Sequence, residues 1–270
     1  MPLRSRIPVG ILAVTWLLVS VDASGQSLSR DAAEEFLRTA EVVDAERAGS
    51  GTTLPWRLTL SDGTTTHDAL FQSVNDRRAT GRLANGQVVL NFADSFEFNI
   101  AAYRLAKILG LGHMVPVTVR RQWRDEEGAL SWWVDDVMLG ERQRLEQKIE
   151  PPNPGMWQAQ LFNMRLFALL VNDTDRNQGN VLYTDQWRLW MIDFSRAFTI
   201  SEEIRDIDQL VRVDRSLFRR LQTLDPDVVR AELAPNLTGR EPEALLKRCE
   251  LIVQHVEGWI AGHGEDSILF

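Results

Sequence analysis

The chain has 270 residues, of which 44% are hydrophobic and 25% are charged, and its formal net charge is -8 at pH 7. These proportions are typical of a soluble globular protein with enough residues for one large domain or two lobes. The acidic balance argues against a broad basic surface, so we expect no nucleic-acid partner. The single cysteine, Cys249, excludes an internal disulfide.

Residues 1–25 have the pattern of a secretory signal peptide. Arg4 and Arg6 precede an apolar core at residues 9–21, and small residues follow at 23–25. The apolar run is shorter than the roughly 20 residues needed to cross a bilayer, and an uncleaved anchor is the alternative. We therefore predict an exported protein, periplasmic or secreted, with no stable membrane span once the leader is cleaved.

Residues 26–53 are predicted to form an N-terminal helix and a linker. The helix is expected from Ser27 to Val42, with Ser29 as its N-cap and an apolar face that includes Phe36 and Leu37. A segment rich in Gly, Ser and Thr, from Gly49 to Thr53, is interpreted as the linker.

Short apolar segments predict a β-rich region over residues 54–150. The turn at Ser61-Asp62-Gly63 indicates a hairpin between the first two strands, and an amphipathic helix is expected over Asn99–Leu109. The expected strands are Leu54–Leu60, Asp68–Val74, Val115–Val119, Val119–Trp123 and Ala129–Val134. Residues 132–138 would then lead to the next region, although the paired Trp132 and Trp133 favour core packing over a connecting role.

Residues 151–270 are predicted to be mainly helical. The strongest helical periodicity lies in Trp157–Val171, which is apolar enough to run through a core. The remaining helices are expected at Ser201–Val211, Asp214–Leu224, Pro226–Ala234 and Glu241–Ala261. Strands followed by helices predict an α+β protein.

The segment from Asn172 to Phe198 carries the clearest chemical signal. Asp175 and Asn180 are five positions apart in a turn-rich loop, a predicted β-hairpin follows, and Asp193 stands at its end, thirteen positions after Asn180. Phosphoryl transfer needs such a set: one carboxylate orients the attacking hydroxyl, while an amide and a second carboxylate hold Mg²⁺ on the phosphates. The alternative is a polar hairpin whose Asp and Asn side chains only make turns.

Asp175-Arg176-Asn177-Gln178-Gly179-Asn180, followed by Ile192-Asp193-Phe194-Ser195, resembles the catalytic loop and metal motif of atypical kinases. The similar branches are the phosphoinositide-3-kinase-like, HipA-like and secreted Golgi-kinase-like proteins. The resemblance implies two lobes, a small β-rich N-lobe at 54–150 and an α-rich C-lobe at 151–270. It also implies that Asp175 is the catalytic acid and that Asn180 and Asp193 are the Mg²⁺ (or Mn²⁺) ligands for ATP.

The sequence departs from these kinases where their N-lobe contacts the nucleotide. Gln72 stands where a strand lysine is expected, and Asn99 stands where a helix acid is common, with Glu97 close by. We take Gln72, Glu97 and Asn99 as the candidate nucleotide-binding residues. Three explanations stay open: an arginine at 77 or 78 substitutes for the lysine, Lys107 reaches in, or the protein is a pseudokinase with a degenerate nucleotide lobe.

The sequence thus supports an exported kinase-like protein that transfers a phosphoryl group to a hydroxyl acceptor of unknown identity. A pseudokinase that binds a nucleotide or a partner is the first alternative. A metal-dependent hydrolase that uses the same three oxygen ligands is the second.

Overall fold

In a computed structural model, which describes residues 28–49, 55–82 and 88–270, a β-rich part is followed by a helical part. The predicted α+β class is therefore confirmed. The predicted signal peptide lies outside the described residues. Within the three described ranges, no helix combines the length and the apolar character needed to cross a membrane.

The described strands and helices follow one another along the chain without repeats. The strands are β1 (Glu41–Arg47), β2 (Trp56–Ser61), β3 (Thr66–Gln72), β4 (Asn75–Arg82), β5 (Val88–Ser95), β6 (Thr118–Trp123), β7 (Glu126–Trp132), β8 (Val137–Gly140), β9 (Val181–Thr184) and β10 (Leu189–Met191). The helices are α1 (Arg30–Thr39), α2 (Phe96–Ile108), α3 (Glu141–Gln147), α4 (Pro154–Leu170), α5 (Arg215–Gln222), α6 (Pro226–Leu233), α7 (Glu241–His263) and α8 (Glu265–Ile268).

The main sheet has five antiparallel strands in the order β1-β2-β3-β7-β6. Alternating burial along β2 and β3 places Leu58, Leu60, Ala69 and Phe71 in the core, all at most 1% exposed. The turn at residues 61–63 joins these two strands, as predicted. A smaller sheet, in the order β10-β9-β8, belongs to the helical part.

The N-terminal helix is shorter than predicted. Ser29 caps α1 as expected, because its Oγ accepts a hydrogen bond from the Ala32 N–H at 3.2 Å. The helix ends at Thr39, however, and residues 41–47 form the edge strand β1 rather than the end of a helix. Of the predicted linker, residues 50–53 lie outside the described residues.

An antiparallel ribbon of β4 and β5 is inserted between β3 and α2, and the sequence did not predict it. The ribbon contacts the helical part at two points. Arg77 on β4 forms an ion pair with Glu241 at the start of α7, and the guanidinium of Arg196 lies 4.6 Å from the ring centre of Phe92 on β5. The ribbon therefore connects the two parts of the molecule directly.

Helix α4 carries the chain through the core and into the predicted catalytic loop. It begins at Pro154, three residues earlier than predicted, with Asn153 as N-cap. Its buried side includes Leu166, Phe167 and Leu170. A core helix gives the loop that follows it a rigid support.

The helix predicted over residues 201–211 does not form; only Ile207–Gln209 makes a short 3-10 turn. This segment is contacted by a distant side chain, Arg248 on α7, which is fully buried. Its guanidinium donates to the carbonyl oxygens of Leu170 at 2.8 Å and Thr199 at 3.1 Å, and also to that of Ser201. These contacts tie residues 199 and 201 to α7 and to the end of α4.

Candidate active site

The loop after α4 is held against the segment that follows β10. The Asn172 amide donates to the Thr199 hydroxyl at 2.6 Å, and the Phe198 N–H donates to the Val171 carbonyl at 2.6 Å. Asn172 and Phe198 both have positive φ angles, 47° and 52°. For a bulky residue such as phenylalanine this is an uncommon conformation, which persists because the surrounding contacts impose it.

Arg176 is the centre of the loop. Its Nε donates to Asp173 Oδ2 at 2.9 Å, and its Nη atoms donate to three backbone carbonyls: Asn180 at 2.7 Å, Ile192 at 2.7 Å and Asp193 at 3.2 Å. One side chain thus fixes the loop that carries Asp175 and Asn180 to the strand end that carries Asp193.

The partner of Arg176, Asp173, is a residue that sequence reasoning missed. Its side chain is completely buried and forms an ion pair with Arg176 at 2.5 Å. Burial raises the pKa of the Asp173 carboxyl, and the positive charge of Arg176 opposes that effect. Its place two positions before Asp175 was the only sequence signal for it.

The predicted catalytic acid and the two predicted metal ligands are all accessible. Asp175 is exposed, while Asn180 and Asp193 are half-buried. The Asn180 Nδ2 donates to the Asp175 carbonyl oxygen at 3.0 Å, so its Oδ1 is the atom left to act as a ligand. Asp193 has a φ of 54° and accepts the Ser195 N–H on Oδ1 at 3.2 Å. None of these groups is sealed inside packing.

A third carboxylate, Asp94 at the end of β5, lies beside them and was not predicted. Burial raises its pKa, the Ser195 hydroxyl and the charge of Arg196 lower it, and the charges of Asp193 and Asp175 raise it further. Because the Asp94 carboxyl senses both of those charges, the three acids share one region of negative potential. A lone Asp before a helix gives no local signal of such a role.

Gln72 and Asn99 meet next to this region, as a neutral pair. The Asn99 Nδ2 donates to Gln72 Oε1 at 3.2 Å, and Asn99 Oδ1 accepts the Phe194 N–H at 2.7 Å. Asn99 is only 4% exposed. Both residues line a cavity of about 200 Å³, together with Asp94, Ser195 and the ends of β1 and β2.

Glu97, also a candidate nucleotide-binding residue, does not line that cavity. Its carboxylate forms an ion pair with Arg120 on β6 and accepts the Asn236 amide at 2.6 Å. Arg120 also donates to the Pro235 carbonyl at 3.0 Å. Glu97 therefore links α2 to the helical part. The sequence did not indicate this contact, because Asn236 lies 139 positions away.

The three cations considered as substitutes for the missing lysine are all engaged elsewhere. Arg77 pairs with Glu241, and Arg78 pairs with its neighbour Asp76 at 2.5 Å. Lys107 donates to Glu34 on α1 at 2.6 Å. None of the three lines the cavity at Gln72.

Comparison with known proteins decides the fold. No protein-family model matches the sequence, and no curated protein matches it. The structure, however, is similar to that of hydra Fam20 with sugar (16% identity, 89% of this chain and 91% of that chain, TM-score 0.64). It is also similar to a Golgi casein kinase with Mn/ADP bound (13%, 89% and 78%, 0.64). A third similar structure is the Helicobacter pylori proinflammatory kinase CtkA (8%, 84% and 98%, 0.53).

The chain has an atypical kinase-like fold. The resemblance found in residues 175–195 is thereby confirmed at the level of the fold. In this kinase-like chain the main sheet and α2 form the β-rich part, and α4 and the later helices form the helical part.

A second and wider cavity, of about 540 Å³, lies against the segment between β7 and β8 of the kinase-like fold. This segment falls within residues 132–138, for which the sequence favoured core packing and offered a connection to the helical part as the alternative. Residues 133–137 line one side, and Arg57, His67 and Asp68 line the other. The guanidinium of Arg57 pairs with Asp68 at 2.5 Å and lies 4.5 Å from the ring centre of Trp133.

The donor set suits a hard divalent cation that is also held by substrate. Among the residues with described positions, no three or more His, Cys, Asp or Glu side chains are grouped so as to hold a metal. Asn180 and Asp193 offer one amide oxygen and one carboxylate. Mg²⁺ is commonly bound by one or two carboxylates together with substrate phosphates and water, so these residues fit it when a nucleotide is present.

Proposed function

We propose that this protein is an exported kinase that binds ATP with Mg²⁺ or Mn²⁺ and transfers the γ-phosphoryl group to a hydroxyl acceptor. The observation that supports it most is the position of Arg176. Its guanidinium donates to the backbone carbonyls of Asn180, Ile192 and Asp193. Arg176 therefore joins the loop that carries Asp175 and Asn180 to the segment that carries Asp193.

Each of the three residues then has one role. Asp175, which is exposed, orients the acceptor hydroxyl and accepts its proton as the new oxygen–phosphorus bond forms. The bond from the γ-phosphorus to the bridging oxygen breaks, and ADP leaves with that oxygen. Asn180 and Asp193 would hold the cation, which would neutralise charge on the phosphates. Positioning and charge neutralisation are most of what this reaction requires.

The similar structures suggest which acceptors to test first. One similar structure contains a sugar and another is a casein kinase, so sugars and protein hydroxyls are the acceptors to try first. Export rests on the predicted signal peptide at residues 1–25, and a Golgi protein among the similar structures is consistent with it.

A pseudokinase is the second candidate, and the Gln72–Asn99 pair favours it. Their hydrogen bond at 3.2 Å is neutral on both sides. In kinases this place holds a lysine that contacts the phosphates, paired with a glutamate. A protein of this kind would bind a nucleotide or a partner and transfer nothing.

A thermal-shift titration with ATP, with and without Mg²⁺ or Mn²⁺, followed by a γ-phosphoryl transfer assay, tests the proposal. We expect a rise in melting temperature that depends on the cation, and labelled phosphate on a hydroxyl acceptor. Asp193→Asn should lose the cation dependence. A shift without transfer to any acceptor would favour the pseudokinase, while phosphate release that needs no acceptor would indicate a hydrolase. No shift with either cation would overturn nucleotide binding altogether.

A further inference from the structure

The cavity at Gln72 contains one cationic side chain among the described residues that line it, and that side chain comes from a different strand. It is Arg47, the last residue of β1. The acidic residues lining the same cavity are Asp94 and Glu126. A phosphate chain entering this space would meet an excess of negative charge unless a cation balances it.

We propose that Arg47 is the phosphate-binding cation of this protein, in place of the lysine that β3 lacks. The inference rests on the proposed function, because it assumes that a nucleotide occupies the cleft. Arg47 pairs in register with Trp56 on β2, and Trp56 pairs with Phe71 on β3, next to Gln72. Arg47 is therefore two strands, about 10 Å, across the sheet from Phe71. The side chain of Gln72 leaves the opposite face of β3, and Arg47 and Gln72 both line the cavity at the strand ends.

The guanidinium of Arg47 is already oriented. Its central carbon lies 3.8 Å from the centre of the Trp56 ring, a cation–π contact that restricts the long side chain. A planar guanidinium binds phosphate oxygens through two parallel N–H donors and is less strongly hydrated than an ammonium group. Arg47 thus has both the charge and the geometry for a phosphate.

The other wall of the cavity is the place where phosphates are expected. Ser195 lines it, and the Ser195 N–H is bonded to the Asp193 carboxylate. A nucleotide whose phosphates are held through the cation at Asp193 would extend its negative charge into the space that Arg47 lines. Gln72 and Asn99 would then contribute polar contacts without charge.

The chain offers a matched control in Arg124. Its guanidinium contacts the same Trp56 ring, at 4.8 Å, and the Trp123 ring at 4.2 Å, but Arg124 does not line the cavity. Arg47→Gln and Arg124→Gln remove the same charge from the same aromatic group. They differ in whether the lost charge faces the cavity.

The experiment is to measure the affinities of the full protein and these two variants for ATP and for adenosine, both with Mn²⁺, by calorimetry. Arg47→Gln should weaken ATP binding by about 10- to 100-fold, as expected for lost charged hydrogen bonds, and leave adenosine binding within about twofold. Arg124→Gln should leave both within about twofold. In the double variant Arg47→Gln/Gln72→Lys, a lysine restored to β3 should recover most of the ATP affinity.

Two results would overturn the assignment of Arg47. One is ATP affinity in Arg47→Gln that stays within about twofold of the wild type. The other is an equal loss for ATP and adenosine, which would make Arg47 a structural residue. If the wild type binds neither ligand with Mn²⁺ or Mg²⁺, the proposed function fails and this inference fails with it. If the wild type binds ATP and Arg47→Gln binds it with the same affinity, only the assignment of Arg47 fails.

Discussion

The side chain of Asn99 holds the backbone of Phe194 in place: the Phe194 N–H donates to Asn99 Oδ1 at 2.7 Å. Helix α2 is thereby joined to the residue that follows Asp193, and the other end of the same amide contacts Gln72 on β3. Asn99 thus links β3, helix α2 and the segment after Asp193 through one neutral side chain.

Replacing Asn99 with leucine should lower the free energy of unfolding by about 1–3 kcal/mol, because the Phe194 N–H loses its acceptor in a buried place. Gln72→Leu, which removes the partner at the exposed end of the pair, should cost less. Urea denaturation of both variants checks this. Equal losses would show that the contact with Phe194 has no special weight.

Arg176→Met should destabilise the protein by about 3–5 kcal/mol, since Asp173 is left as a fully buried carboxylate without its partner. Arg176→Met/Asp173→Leu should recover much of that stability, because neither charge remains. It should not recover phosphoryl transfer, since the contacts to the carbonyls of Asn180, Ile192 and Asp193 stay lost. Denaturation and transfer assays on the two variants separate these effects. Full activity in the double variant would show that Arg176 does not position the site.

Asp175→Asn and Asp193→Asn should differ in what they abolish. Asp175→Asn removes the proton acceptor, so we expect a fall in transfer of about 100-fold or more with ATP affinity nearly unchanged. Asp193→Asn removes a cation ligand, so the dependence of ATP binding on Mg²⁺ or Mn²⁺ should disappear. Calorimetry and a transfer assay on each variant provide the comparison. Loss of ATP binding in Asp175→Asn would contradict its assigned role.

Arg77→Gln should destabilise the protein far more than Arg78→Gln, although the two residues are adjacent on β4. Glu241, the partner of Arg77, is 4% exposed, so it would become a buried carboxylate with reduced compensation, at a cost of about 2–4 kcal/mol. Arg78 and its partner Asp76 are on the surface, where such pairs contribute about 0–1 kcal/mol. Melting temperatures of the two variants test the difference, and similar values would refute it.

Stability below pH 5 should depend on Glu34. Burial by itself would raise the pKa of this carboxyl, but hydrogen bonds from Lys107, Tyr103 and Arg38 outweigh it and lower the pKa from 4.5 to about 2. Because the Glu34 pKa is lower in the folded protein than in the unfolded one, its ionisation stabilises the folded protein at pH values above 4.5. This stability is lost as the pH falls from about 4.5 to about 2. We expect Glu34→Gln to be about 1–2 kcal/mol less stable than the wild type at pH 7, after allowance for solvent screening.

Denaturation of the wild type and Glu34→Gln at several pH values between 2 and 7 measures this difference. The gap between the two proteins should narrow as the pH falls through the window. A gap that is constant from pH 7 to pH 2 would show that the Glu34 carboxylate contributes no charge-dependent stability.

The sequence predicted those features whose determinants lie close together along the chain. The hairpin of β2 and β3, the buried helix α4 and the motif from Asp175 to Asp193 were recognised because alternation, periodicity and spacing are local. The edge strand β1 was missed because residues 41 and 42 continue the helical pattern of α1 until pairing with β2 decides otherwise.

Other features depend on contacts between distant residues. Arg248 donates to the carbonyls of Thr199 and Ser201 from 49 and 47 positions away, and Glu97 is bound by Asn236 across 139 positions. Strand β4 of the ribbon has a charged sequence, with Arg77 and Arg78 side by side. The apolar run that opens β5, at residues 88–90, was overlooked as a strand. The site residue Asp94 had no pattern around it. In each case the deciding partner was known only from the fold.

The ribbon of β4 and β5 also bears on how a ligand would reach the cleft. It is tied to the helical part through Arg77 and Glu241 and through the contact of Phe92 with Arg196. Wide separation of the two parts would break both ties together. If a nucleotide binds as proposed, we therefore expect it to exchange by small local movements of the loops near the cavity, and not by wide separation of the two parts.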